Sequence, residues 1–126
     1  MRLLLDTHAF LWWVEDDSRL SVDARECIAD GTNECHVGVA SAWEMAIKCS
    51  LGKLKLGRPV HDYFARHLPA NGFRLFPVEI REATDVECLA FHHRDPFDRL
   101  LIAQRHGLDL VSCDRMFDRY GIARIW

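Results

Sequence analysis

Long apolar runs are missing from this sequence, and nothing in it approaches the ~20 consecutive residues that cross a bilayer. The opening Met1-Arg2-Leu3-Leu4-Leu5-Asp6 superficially resembles a short signal peptide. Asp6 interrupts it, however, and no small-residue cleavage site follows. The segment reads as a first strand, and the expected location is the cytoplasm. Cysteines number five, at 27, 35, 49, 88 and 113, without a C-x-x-C pair. An odd, scattered set is neither a secreted disulfide framework nor a zinc ribbon, so reduced, buried thiols are expected. Strong charge is lacking too. A formal net charge of −3 gives no footprint for tight, nonspecific duplex binding. It leaves nuclease chemistry open, because bound cations neutralise acidic clusters locally. Repeats, low-complexity tracts and linkers are absent, so residues 1–126 are expected to form one domain.

What is present is a core and an alternation. With 49% apolar residues the chain can bury a core without disulfide or metal staples. Leu3-Leu4-Leu5 is the continuous apolar run of a strand covered on both faces. A helix is expected from residues 8 to 14, another from Ser21 to Asp30 before Gly31, and a second strand from Cys35 to Val39. Ser41 then starts a helix that runs to about Ser50, with Gly52 past its end. After the basic segment Lys53, Lys55, Arg58, a short helix carries Val60, Tyr63, Phe64, His67 and Leu68 at helical spacing. Pro69-Ala70-Asn71-Gly72 reads as a turn. A strand (Phe73 to Val78), a helix (Ile80 to Phe91) and a helix from Asp95-Pro96 to near Gly107 follow. Leu108 to Cys113 and Ile122 to Trp126 close the series as strands around a short helix at Arg115 to Tyr120. Strands alternating with helices mean an α/β domain on a parallel sheet, with ligands at the carboxyl ends of the strands.

Four acids sit where an apolar run turns into a helix start: Asp6, Glu44, Asp98 and Asp114. Each alone has a structural explanation. Ser41-x-x-Glu44 fits a capping box, and Asp6, Asp95 and Asp114 fit helix caps, with Asp98 in a first turn. Jointly they point elsewhere. Caps can be Ser, Thr or Asn without charge, whereas four carboxylates on one sheet edge repel one another unless a cation lies between them. Oxygen-only ligands suit Mg²⁺ or Mn²⁺, and such sites serve phosphate chemistry.

The segments Leu3 to His8, Ser41 to Lys48, His93 to Gln104 and Leu110 to Asp114 resemble, in order and over essentially the whole chain, the successive motifs of PIN domains. The similarity is greatest to the VapC-type toxins of bacterial toxin–antitoxin pairs. That resemblance implies a three-layer α/β/α sandwich on a central parallel sheet of about five strands. It also implies a Mg²⁺- or Mn²⁺-dependent endoribonuclease, a cognate antitoxin that blocks the site, and a homodimer. By position, Asp6, Glu44, Asp98 and Asp114 match the family's catalytic, metal-binding quartet. Thr7 and Ser112 match the hydroxyl positions beside it. Asp95 belongs to the Asp-Pro-Phe-Asp motif, as a ligand or as a helix cap. Water attack in line on the phosphodiester would leave a 5′-phosphate and a 3′-hydroxyl.

Arg94 and Arg99 flank this motif, within reach of a substrate phosphate or of the acids themselves. Lys48, Lys53, Lys55 and Arg58 read first as a solvated helix end and loop, and second as contacts to RNA phosphates or antitoxin. His8 lies beside Asp6 in sequence and is a candidate substrate contact. His92-His93-x-Asp95 lacks metal-site spacing and reads as a helix end. Trp12, Trp13 and Trp43 fit a core first and a base-stacking edge second. The apolar circumference of the first helix calls for burial, against the core or a second subunit. Two other classes compete. A phosphatase with Asp6 as nucleophile wants an acid two residues on, where His8 stands. A non-catalytic RNA- or protein-binding module, its carboxylates serving as caps, predicts no metal dependence.

Overall fold

The computed structural model describes residues 1–89, 97 and 107–126. Strands β1 (Arg2–Leu5), β2 (Glu34–Gly38), β3 (Arg74–Phe76), β4 (Asp109–Val111) and β5 (Arg124–Ile125) form one parallel sheet in the order β3-β2-β1-β4-β5. Central β1 aligns Leu3 with Cys35 and Leu5 with Val37 on one side, and with Asp109 and Val111 on the other. The chain therefore steps outward from β1 to β3, then returns across the sheet to lay β4 on the far side of β1. That reversal puts a switch point at the carboxyl ends of β1 and β4, the place where open parallel sheets hold ligands.

Side chains alternate across β1, and each face meets its own core. Leu3 and Leu5 join Val37, Phe10, Met45 and Phe64 in the larger cluster, which α1 (Thr7–Val14), α2 (Val22–Ala29), α3 (Val39–Ser50) and α4 (Val60–Asn71) supply. Leu4 faces the other way, toward Leu110, Phe117 and Ile122, with Leu89 and Tyr120 packed alongside. The expected three layers are present, and the unbroken Leu3-Leu4-Leu5 run is explained by burial on both sides. Helix α1 packs Trp12, Trp13 and Val14 against the larger cluster. Its apolar circumference is thus accounted for within this chain. No described helix is long and apolar enough to cross a membrane.

Three local expectations are corrected. Helix α3 begins at Val39 directly after β2, with Gly38 before it and no side-chain cap. Ser41 is therefore inside the helix, and it is no capping residue. Helix α4 runs through Pro69 to Asn71, where a turn was expected. A proline there removes one hydrogen bond from a final turn that is otherwise closed by Phe73 N–H to Leu68 O at 2.9 Å, with Gly72 left-handed (φ 66°). The helix from Ile80 ends at Asp85 (α5) and gives way to a 3-10 turn at Val86–Cys88. Thr84 Oγ1 donates to the carbonyls of Ile80 (2.8 Å) and Arg81 (3.1 Å), back-bonding that competes with the helical ladder. The helix expected from Asp95 to near Gly107 lies outside the described residues.

Candidate active site

Asp6 follows β1 and belongs to both neighbours of the switch point. Its backbone N–H donates to Val111 O on β4 at 3.1 Å. Its carboxylate caps α1, accepting from Ala9 N–H at 2.7 Å. The residue is 7% exposed. Burial pushes its carboxyl above the ordinary range, and the negative charge of Glu44 pushes the same way. Hydrogen bonds from Ser112 and Ala9 and the nearness of His8 oppose this without cancelling it. A cap alone has no need of a buried charge.

Glu44 reaches the same place from α3. Both carboxylate oxygens are held: Thr7 Oγ1 donates to Oε1 at 2.7 Å, and Lys48 Nζ, one helical turn on, donates to Oε2. Thr7 and Ser41 hydroxyls share a further bond at 2.9 Å. Thr7, adjacent to Asp6 in sequence, thus ties the β1 end to α3. The Lys48 pairing is the i, i+4 type expected on a helix, here against a buried acid. Lys48→Met leaves that acid without its ammonium partner. We expect a loss of about 2 kcal/mol in urea unfolding measured in EDTA, below the fully buried case because Lys48 is a third exposed.

Ser112 and Asp114 come from the end of β4. Ser112 is fully buried; its N–H donates to Ile125 O at 3.3 Å and its Oγ accepts the Asp114 N–H at 3.1 Å. With its hydroxyl also bonded to Asp6, Ser112 is the link between the β1 and β4 acids. Asp114 caps the 3-10 helix Arg115–Tyr120, accepting from Met116 N–H at 2.9 Å. Burial raises the Cys113 thiol pKa, and the charges of Asp6 and Asp114 add to it. Asp6 and Asp114 are therefore genuine caps, as the structural reading holds; Glu44 is not.

Asp6, Thr7, Glu44, Ser112 and Asp114 gather at the switch point. Asp98, Asp95, Arg94, Arg99 and the histidines at 92 and 93 lie outside the described residues. Among the described residues, no three Asp, Glu, His or Cys side chains surround one point closely enough to hold a cation. Of the aromatics, Trp12 lies at the site's edge. Trp13 turns away to donate to Asn71 Oδ1 (2.9 Å), and Trp43, half-exposed, meets Phe97 edge-on at 5.0 Å. Sequence reasoning passed over Arg19, whose guanidinium lies 4.9 Å from the Trp12 ring centre. Asp17 holds it there through two hydrogen bonds, and the Asp17 carboxyl is depressed to about 2 by that contact. The Asp17-x-Arg19 spacing was the available signal.

The family model of the PIN domain matches residues 3–123. Ribonuclease VapC22 of Mycobacterium tuberculosis is 31% identical over 118 residues, covering 90% of this chain and 87% of that protein. The match spans every described member of the acidic set, on a sheet whose switch point gathers them. The chain belongs to the PIN-domain family, among its VapC-type ribonucleases.

Proposed function

We propose that this chain is the endoribonuclease toxin of a toxin–antitoxin pair, one PIN domain over residues 1–126, working with Mg²⁺ or Mn²⁺ at Asp6, Glu44, Asp98 and Asp114. The observation that carries the reading is the buried pair Asp6 and Glu44, two carboxylates at a switch point whose charges oppose each other. The donor set is all oxygen, which fits a hard divalent cation. The described acids do not complete a site by themselves, so the reading requires Asp98. A cation bound there would polarise a phosphodiester and acidify a water.

The chain's own residues have separable tasks in this reading. Thr7 and Lys48 fix the Glu44 carboxylate, and Ser112 with the Ala9 N–H fixes that of Asp6. Second-partner hydrogen bonds of this kind orient metal ligands. A carboxylate of the set takes the proton of the attacking water, Arg94 and Arg99 contact the phosphate, and the products carry 5′-phosphate and 3′-hydroxyl ends. A cognate antitoxin that blocks the site, pairing into a homodimer and a cytoplasmic location complete the proposal by family.

End analysis of RNA cut by antitoxin-free protein in Mn²⁺ tests it, with an Asp98→Asn variant beside it. The expected result is 5′-phosphate ends and loss of cutting in the variant. A 2′,3′-cyclic phosphate, or full activity of Asp98→Asn, would contradict it. The binding-module reading draws on the caps made by Asp6 and Asp114 and predicts no cutting at all.

A further inference from the structure

Beside the acidic set lies a cleft of about 390 Å³ whose lining includes Thr7, His8, Trp12, Arg19, Lys48 and Lys53. It opens from the site itself, because Thr7 and Lys48 are the two residues that hold Glu44. We propose that this cleft is a subsite for one unpaired nucleotide of the RNA, with Lys53 on its phosphate and the His8–Trp12 pair under its base. The proposal rests on the ribonuclease reading and specifies where the strand runs beside the cut.

The charges favour this assignment. Arg19 is held by Asp17 and Lys48 by Glu44, so their charges are largely compensated. Lys53 is exposed and has no ion-pair partner among the described residues. Its position is fixed by the end of α3, where Lys53 N–H donates to Lys48 O at 2.9 Å and Gly52 N–H to Cys49 O at 3.1 Å. This pair of bonds is the Schellman closure, which needs the left-handed Gly52 (φ 72°). A fixed backbone thus presents an uncompensated ammonium beside the site. Glu15 is the acid on the cleft wall, and its charge acts on the Arg19 guanidinium.

The aromatic side is equally organised. The exposed His8 ring stacks on Trp12 with centroids 5.3 Å apart and planes 29° from parallel. Trp12 is in turn braced by Arg19 and by Trp126 at 5.8 Å. A ring backed in this way is a stacking plate, and stacking requires an unpaired base. An acidic peptide would use Lys53 but would gain nothing from the plate.

The test uses a labelled, unstructured oligoribonucleotide and full-length protein in EDTA, so that binding is read without cutting. Lys53→Gln should weaken binding at least 3-fold and lower the slope of log affinity on log salt by about 0.7, one phosphate contact. His8→Ala should weaken binding about 5-fold or more at unchanged slope. Both positions are exposed, and matching circular dichroism melts establish that the variants fold. In Mn²⁺, both should raise KM with kcat retained. If wild type cuts RNA while both variants bind and cut as wild type does, the subsite is wrong and the ribonuclease reading stands. If duplex RNA or an oligo-aspartate peptide binds as tightly, with the same losses in both variants, the base-stacking assignment is overturned. If wild type neither binds nor cuts, the ribonuclease reading falls and the subsite with it.

Discussion

Asp6→Asn should lower RNA cleavage by about 100-fold or more while leaving the metal-free protein at least as stable as wild type. Asparagine caps a helix as well as aspartate does and retains an oxygen for the Ala9 N–H. What it removes is a negative charge that burial and Glu44 both penalise. Removing a ligand should exceed the 10–100-fold typical of losing a ligand's supporting partner. The stability effect has a definite sign. The folded-state pKa of Asp6 is raised, so the penalty is fully present above that pKa and fades as pH falls toward the ordinary carboxylate range. The advantage of Asn over Asp in EDTA should therefore shrink on acidification. Mn²⁺ should raise the melting temperature of wild type and not of the variant. A variant that melts well below wild type in EDTA and still responds to Mn²⁺ would mean that Asp6 is a structural cap and nothing more.

Phe10→Ala should reduce unfolding free energy by about 3–5 kcal/mol in urea. Phe10 is completely buried between the sheet and α4, with ring centroids 5.2 Å from Phe64, 5.9 Å from Tyr63 and 6.3 Å from Phe73. Those rings are fixed by α4 and by the segment that enters β3, so the cavity cannot collapse cheaply. The loss is a large part of the ~5–15 kcal/mol that holds a domain together. It also loosens the helix that Asp6 caps, and activity should fall alongside stability. A loss under about 1 kcal/mol would contradict the packing described for α1.

The parts of the fold with a strong period were legible from residue order. Leu3-Leu4-Leu5 announced a doubly covered strand, and Ser21 announced α2, where its Oγ accepts from Ala24 N–H at 3.1 Å. Boundaries failed where a local signal and its tertiary outcome differ. Pro69 looks like a stop, yet a closing turn at Gly72 carries α4 past it. Ser41-x-x-Glu44 has the spacing of a capping box, yet β2 runs into α3 without a loop, and both side chains bond to Thr7 instead. The helix expected from Ile80 to Phe91 ends at Asp85, beside the Thr84 hydroxyl that back-bonds to Ile80 and Arg81. The alternation gave a parallel α/β sheet but not its order, which the fold sets as β3-β2-β1-β4-β5. Asp6, Thr7, Glu44, Ser112 and Asp114, singled out from the sequence, lie together at one edge of the sheet, Glu44 reaching it from inside α3. Residue order alone did not convey that Ser112 joins Asp6 to Asp114, or that Arg19 lies over Trp12, because both depend on segments brought together by the fold.

The measurement that bears most directly on the central claim is cleavage of RNA by the purified, antitoxin-free chain with Mn²⁺ or Mg²⁺ and again with excess EDTA. The account predicts cutting that depends on the metal, vanishes in EDTA and returns when the metal is restored. Cutting that persists in EDTA would contradict a carboxylate-held cation at the switch point.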